Sequence, residues 1–441
     1  MKLEQSSVLI SGQLITSRTE TVEAYLRLRA KYLGVIGIAS PFASQGTARI
    51  SAYENNVLKR QFYYKHVRID HNSSKVMFVP VFLAYLWSIL ANAFSLRDHL
   101  NEVTPHPHPL PQGAREKKRE GKRKFDLFVG VACFSSLAGV LLKKLGVIDK
   151  LIYYCIDYYP MPKDLSFNTV IVWAFRQADK LCVRHSDMVW HISPRIAQAR
   201  EEFAGIRPDE YKHKVVPLGY DSSVFIDKPE QEFDINSIAF VGTLSDNQGL
   251  ELVVQAMPKV LEKMPDAKVH VIGRGPFEGA LKALIKMASL EKQFILYGFI
   301  PDEKDVLDII SKCAIGMAPW NSSPEDNSIY ADPGKPKLYA ARGLPTVITE
   351  GPAISNLIEE AQAGFVIKYD KDMLADAILR LLTNKDRLIS YRENSLVFAR
   401  SNADACAIFS KAFGLRYEAN KSEQIADFPA DSNQKEACHE A

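Results

Sequence analysis

The stretch FVGTLSDNQGLELVVQAMPKV, Phe240 to Val260, decides how the second half of the chain is read. An apolar run, NSIAFVG, stops at a loop of small and polar residues, and leucines and valines at helical spacing follow from about Gly249 to Met264. Strand, small-residue loop and helix in that order make one βα unit, and the pattern recurs on both sides. Downstream come the strand AKVHVIGRG, a helix from about Phe277 to Ala288, the strand FILYGFIP, a helix over Asp302 to Lys312 and the strand AIGMAPW. YADPGKPKLYAARGLPTVIT, Tyr330 to Thr349, then supplies a Pro-Gly turn, an alanine-rich helix and a β-branched strand, and a helix from Met373 to Thr383 follows. Alternating strands and helices with short loops predict a doubly wound parallel sheet.

The first half shows the same alternation less cleanly. SSVLISG, YLGVIGIA, RQFYYKHVRI, FDLFVGVA, KLIYYCID, DMVWHIS and HKVVPLG read as strands, with helices over Glu20 to Tyr32 and Ser135 to Leu145. At 441 residues the chain exceeds one core and predicts two α/β domains. The expected division is an N-terminal domain over 1–218, a second domain over 219–395, a helical run to about Tyr417 whose part over 396–418 crosses back onto the first domain, and a polar tail over 419–441.

With 47% hydrophobic and 24% charged residues most of the chain should fold, and a net charge of +3 gives no general case for nucleic-acid binding. Cys133, Cys155, Cys182, Cys313, Cys406 and Cys438 form no CxxC pair, which reads as reduced thiols rather than a zinc site or a disulfide scaffold. The N-terminus has no long apolar signal core. Val76 to Phe94 runs nineteen residues without a charge, interrupted by Pro80, Ser88 and Asn92. It reads as a buried helix, a helix at a membrane surface, or a span. The Pro- and charge-rich insertion over 104–124 follows it, and Arg115 to Lys124 holds seven basic and two acidic residues. Such a cluster suits either an anionic lipid surface or plain solvent.

Three loops could face an anion. Gly242, Thr243 and Ser245 follow one strand, Gly273-Arg274-Gly275 follows the next, and Asp332-Pro333-Gly334 sets Lys335 at the mouth of a helix. A lysine there opposes the helix dipole, and a bound diphosphate would remove the conflict. Solvation of Lys335 is the alternative. Asp157 ends a strand at the expected rim of a ligand site, either as a base or as the cap of the turn into YYPMP. His185 and His191 read as core or rim histidines, and no His/Asp cluster has metal-ligand spacing.

The ordered set FVGTLSDNQGLELVVQAMPKV, VHVIGRGP, ILYGFIPDEKDVLDIISKCAIGMAPW and PGKPKLYAARGLPTVIT resembles the nucleotide-sugar-binding domain of type-B-fold (GT-B) glycosyltransferases. The likeness is to the glycogen-synthase-like and sucrose-synthase-like group and, in the fourth segment, to the glucuronosyltransferase of xanthan synthesis. YYCIDYYP and RQADKLCVRHSDMVWHISPRI are similar to the acceptor-domain elements of those families. The resemblance implies two facing Rossmann-like domains. It implies a nucleoside diphosphate sugar, UDP-linked, whose diphosphate lies between Gly242, Thr243, Ser245, Arg274 and Lys335, with Tyr330 nearby. The nucleobase would lie against Tyr297, Gly298 and Phe299, with Asp157 as the base, no metal, and a lipid-linked or saccharide acceptor for a bacterial cell-surface polysaccharide. The implied location is the cytoplasmic face of the membrane. Two positions depart from the family pattern: Gln248 stands where a lysine is usual, and Leu338 where a ribose-contacting glutamate is usual. Glu325, Asp326 or Asp332 could supply what is missing. A catalytically silent binding subunit and a nucleotide-sugar epimerase or phosphorylase are the rival readings.

Overall fold

The computed structural model describes residues 2–13, 17–38, 47–65, 78–103, 123–159, 161–162, 166–229, 232–321 and 327–416. The insertion over 104–122, Glu325, Asp326 and the tail over 419–441 lie outside them. Two compact units share the chain: Met1–Ile192 with Ile196–Val216, and Ser193–Arg195 with the chain from Pro217 on.

The first unit is built on eight strands, β1 (Ser7–Gln13), β2 (Tyr32–Ile38), β3 (Thr47–Glu54), β4 (Val57–Lys65), β5 (Phe125–Val131), β6 (Ile148–Cys155), β7 (Met188–His191) and β8 (His213–Val215). Its helices are α1 (Ser17–Arg27), α2 (Phe78–Val103), α3 (Cys133–Lys144) and α4 (Phe167–His185), with α5 (Pro194–Ala204) beginning at the change of unit. The sheet order β4-β3-β2-β1-β5-β6-β7-β8 reverses between β1 and β5, as in a doubly wound fold. Six strands run parallel, but β3 and β4 join the β2 edge antiparallel, which departs from the expected all-parallel sheet. The cause is local. Asn55 and Asn56 both take left-handed φ, 48° and 66°, the turn geometry that matches strand twist in a two-residue hairpin.

Of the three readings of the apolar stretch that forms α2, the span falls away: among the described residues no helix is long and apolar enough to cross a membrane. Tyr85, Ile89, Ala93, Leu96 and Leu100 recur at helical spacing and are buried, whereas Leu83 and Trp87 on another face are 55% and 72% exposed. Deeper in this unit, Arg200 of α5 forks onto Asp179 of α4 with two 2.8 Å bonds, and Tyr153 of β6 donates to the same carboxylate at 2.7 Å. A buried charge pair of this kind fixes the packing of α4 and α5 on the sheet through directional bonds.

The second unit carries β9 (Asp234–Val241), β10 (Lys268–Ile272), β11 (Phe294–Gly298), β12 (Cys313–Ala318), β13 (Thr346–Thr349) and β14 (Gly364–Ile367). All are parallel, in the order β11-β10-β9-β12-β13-β14. The helices are α6 (Leu250–Leu261), α7 (Glu278–Met287), α8 (Glu303–Ser311), α9 (Gly334–Ala341), α10 (Ile354–Glu360), α11 (Lys371–Leu382), α12 (Lys385–Asn402) and α13 (Ala405–Phe413). Two apolar cores separate the layers. One gathers Leu250, Val253 and Met257 of α6 with Leu281 of α7 and Ile378 of α11; the other gathers Ile310, Tyr339, Ile354 and Phe398. Side chains that accept from backbone N–H groups start several helices, as Asp302 does for Lys304, Asp370 for Asp372 and Met373, and Asn384 for Arg387. The final helical run is not continuous. It breaks at Ala403–Asp404, where the backbone pairs with Tyr220 and Asp404 accepts from Ala407 N–H to start α13.

Candidate active site

The sheet order of the second unit reverses between β9 and β12, so the loops leaving those strands stand side by side at the carboxyl edge, where ligands of doubly wound sheets bind. Tyr339 of α9 ties the two ends. Its hydroxyl accepts from Val241 N–H at 2.8 Å and donates to the Met317 carbonyl at 3.3 Å, while its ring fills the space above Gly316.

The loop after β9 is laced to the loop after β10. Gly242 N–H donates to the Ile272 carbonyl and Leu244 N–H to the Arg274 carbonyl, both at 2.9 Å, and Gly273 N–H donates to the Gly298 carbonyl at 2.8 Å. Those amides are therefore engaged with neighbouring backbone and do not point at a ligand, contrary to the picture of Gly242 as an amide donor. What Gly242 provides is room. Its φ is 137°, and a Cβ there would stand 2.6 Å from Lys335 Cε. Thr243 and Arg274 are exposed, and the Arg274 guanidinium lies across Gly298. Ser245 Oγ donates to Asn247 Oδ1 at 2.8 Å.

Lys335 is the second residue of α9, and its side chain turns back into a box rather than out to solvent. The ammonium lies 4.0 Å from the Phe240 ring centroid and 5.4 Å from that of Trp320, and it donates to Gln248 Oε1. Ring faces attract a cation, but they replace little of its hydration. Burial accordingly pulls Lys335 down to about 7. Trp320 Nε1 donates to the same Gln248 oxygen at 3.1 Å. Gln248 itself is fixed by the loop: a Cβ at Gly249, where φ is 76°, would collide with the Pro319 carbonyl oxygen, and Asn321 N–H donates to the Asn247 carbonyl at 3.0 Å.

Lys337, two positions beyond the residue singled out from sequence, is the more deeply buried of the two lysines. It donates to Asp332 and, at 2.7 Å, to the Leu218 carbonyl, and Asp332 also accepts from Leu218 N–H. Desolvation pulls its pKa down and the Asp332 carboxylate opposes that pull. Asp332 is thus committed to Lys337 and is not free to replace a ribose-binding glutamate. Leu338 is 9% exposed and belongs to the apolar core, and Tyr330 is 7% exposed.

At the outer edge of the sheet, Tyr297 and Phe299 are 39% and 46% exposed around Gly298. Tyr297 stacks on His270, with its hydroxyl 2.9 Å from His270 Nδ1. The second unit therefore assembles Gly242, Thr243, Ser245, Arg274, Lys335 and the Tyr297-Gly298-Phe299 loop along one sheet edge. Phe240, Trp320 and Lys337 are the members that sequence reading missed, and Gln248, noted there only for the lysine it replaces, is the partner of Lys335. The Lys-x-Lys spacing in GKPK was a signal for Lys337.

Asp157 belongs to the first unit, two residues past β6. Arg176 holds its loop by donating to the Tyr159 carbonyl at 3.1 and 3.3 Å. His191 is buried, with Nε2 3.0 Å from the Tyr211 hydroxyl, and burial, then the nearby Arg200 and His213, drives it well below the ordinary histidine value. It is a core residue, as its pattern predicts. His185 sits at the end of α4 with its ring nitrogen 2.9 Å from the Leu181 carbonyl. Among the described residues no group of three His, Cys, Asp or Glu side chains could hold a metal ion.

Residues 235–384 match the family model described as glycosyl transferases group 1. An uncharacterized glycosyltransferase of Methanocaldococcus jannaschii is 28% identical over 154 residues, 34% of this chain and 37% of that protein. WcaL of Escherichia coli, a glycosyltransferase named for colanic acid biosynthesis, is 23% identical over 249 residues, 55% of this chain and 57% of that protein. The chain thus spans little more than a third to somewhat over half of these relatives' lengths. Among solved structures, HepE of Anabaena in complex with UDP superposes with a TM-score of 0.60 at 15% identity, over 92% of this chain and 98% of that one. Residues 235–384 are a domain of the group 1 glycosyl transferases, carried in a chain with the two-domain GT-B fold.

Proposed function

We propose that the protein transfers a sugar from a nucleoside diphosphate sugar, UDP-linked, to a lipid-linked or saccharide acceptor in the building of a cell-surface polysaccharide. The observation that carries this reading is Lys335, an incompletely solvated cation at the switch point of a parallel sheet, where a leaving diphosphate would both fill the site and restore the lysine's full charge. Arg274, Thr243 and Ser245 line the same edge, and the exposed Tyr297 and Phe299 suit the face of a nucleobase. The HepE structure, determined with UDP, supports the uridine nucleotide, and WcaL supports the polysaccharide setting. Asp157 takes the proton of the acceptor hydroxyl, and the diphosphate leaves on the charge of Lys335 and Arg274 without a metal ion. Exposed Leu83 and Trp87 on α2 suit a peripheral seat on the cytoplasmic face of a membrane.

The test is thermal stabilisation of the full chain by UDP, GDP, ADP and TDP, with Lys335→Ala alongside. A nucleotide at about 100 times its dissociation constant stabilises by roughly 2.7 kcal/mol. A shift with UDP that disappears in Lys335→Ala is the expected outcome, and no shift with any nucleotide overturns the proposal. Leu338, buried in the core where the resemblance implies a ribose-contacting glutamate, favours a second reading, a subunit that binds donor without turnover. It would be selected by nucleotide binding with no donor hydrolysis or transfer.

A further inference from the structure

Gln248 occupies an unusual electrostatic position. Lys335 Nζ and Trp320 Nε1 converge on its Oε1, and its Nε2 donates to Asn247 Oδ1 at 3.1 Å. Lysine and the indole N–H can only donate, so the amide has one orientation that satisfies both, with oxygen toward Lys335. The lysine stem in turn uses the space that Gly242 leaves open. Position 248 sits on the loop before α6 and position 335 on the first turn of α9, yet both side chains end in the same few ångströms of the sheet edge. A lysine at 248 would set a second ammonium beside Lys335 and remove the oxygen that accepts from Lys335 and from the indole N–H.

We infer that Gln248 is a positioning residue that aims Lys335 at the diphosphate, and that a cation carried at either position would reach the same point of the sheet edge. This rests on the nucleotide-binding reading above and adds to it the source and the anchor of the charge. It also makes an asymmetric prediction, because putting a lysine at 248 should do harm while lysine is present at 335 and good once it is gone.

The experiment is a reciprocal swap in the full chain, read as UDP affinity by calorimetry, with GDP, ADP and TDP in parallel and unliganded melting temperature as the control for folding. Gln248→Lys should weaken UDP binding by about tenfold, the scale of one charge-assisted hydrogen bond, and Lys335→Gln by at least as much. The double variant Gln248→Lys/Lys335→Gln should return to within roughly threefold of the parent, beyond what additive losses allow. Gln248→Glu keeps an acceptor oxygen for Lys335 but places a negative charge beside the diphosphate. It should raise the unliganded melting temperature while weakening UDP, opposite movements that loss of a packing residue would not produce. The inference is overturned if the double variant binds no better than Lys335→Gln, or if Gln248→Lys binds UDP as tightly as the parent. If the parent binds UDP and Lys335→Gln does not, failure of the swap removes the positioning role and leaves the diphosphate site standing. If the parent binds none of the four nucleotides, the functional reading fails and this inference with it.

Discussion

Lys335→Met in the nucleotide-free protein should raise stability near neutral pH, because the native lysine is held where its charge is poorly solvated. Methionine keeps the length and apolar body of the side chain and removes the charge. The gap between an ordinary lysine value of 10.5 and about 7 in this site, at roughly 1.4 kcal/mol per pH unit, sets a ceiling of about 5 kcal/mol. Water reaching the half-buried stem trims that figure, and the lost bond to Gln248 removes roughly 1–2 kcal/mol more. A net gain of about 2–3 kcal/mol remains. Folding depresses the pKa of a base here, so the unfolded chain holds more protons between pH 7 and 10.5. Native stability therefore rises with pH through that window, and the penalty is complete below it. The advantage of Lys335→Met should be greatest at or below pH 7 and should fade toward pH 10.5. For a unit of this size, about 2 kcal/mol moves a melting temperature by at least roughly 4 °C. Calorimetric melting of both proteins at pH 6.5, 8 and 9.5, followed as the difference between them, isolates the residue from other titrations. A variant that melts lower than its parent at pH 6.5, or a difference independent of pH, would refute the account of Lys335 as a strained cation.

Lys337→Met, two positions along the same helix, should behave oppositely: it strips Asp332 of its buried partner and should cost about 3–5 kcal/mol, measurable by denaturant unfolding, with Asp332→Asn added to recover part of the loss. If Asp157 is the base, Asp157→Asn should leave UDP stabilisation intact and lower transfer by roughly 10²–10⁴-fold in a coupled turnover assay. Unchanged turnover would reassign it to capping its turn. Leu83→Ser/Trp87→Ser removes the exposed apolar pair of α2 and should reduce co-sedimentation with anionic vesicles without lowering the melting temperature, and undiminished vesicle binding would dissociate α2 from the membrane.

The βα alternation of the second half was legible because each element there is amphipathic or wholly buried, and periodicity reports burial. In the first half, the hairpin Thr47–Lys65 was read only in part, as the strand RQFYYKHVRI, and its first strand was not read. Residues 57–61 are exposed, so no alternation marks them, and the Asn55–Asn56 turn was the local sign. The break in the last helical run at Ala403–Asp404 left no such sign, since it answers to backbone pairing with Tyr220, far away in sequence. Helical spacing and the lack of charge found α2, but only packing shows that Ile89 and Ala93 face inward while Trp87 does not.

For the site, sequence alone placed Gly242 and Arg274 in loops after strands and Lys335 at the mouth of a helix, because strand ends and turn residues are local properties. It could not show that Gly242 serves as space rather than as an amide donor, since its N–H is taken by the neighbouring strand end. Nor could it separate Lys335 from Lys337, which differ by two positions and yet meet, respectively, a neutral amide and a buried carboxylate. The partner that sets the first lysine's chemistry is Gln248, 87 residues away. Burial and the sign of a neighbouring charge are decided by what the fold brings within a few ångströms, and no pattern along the chain encodes that distance.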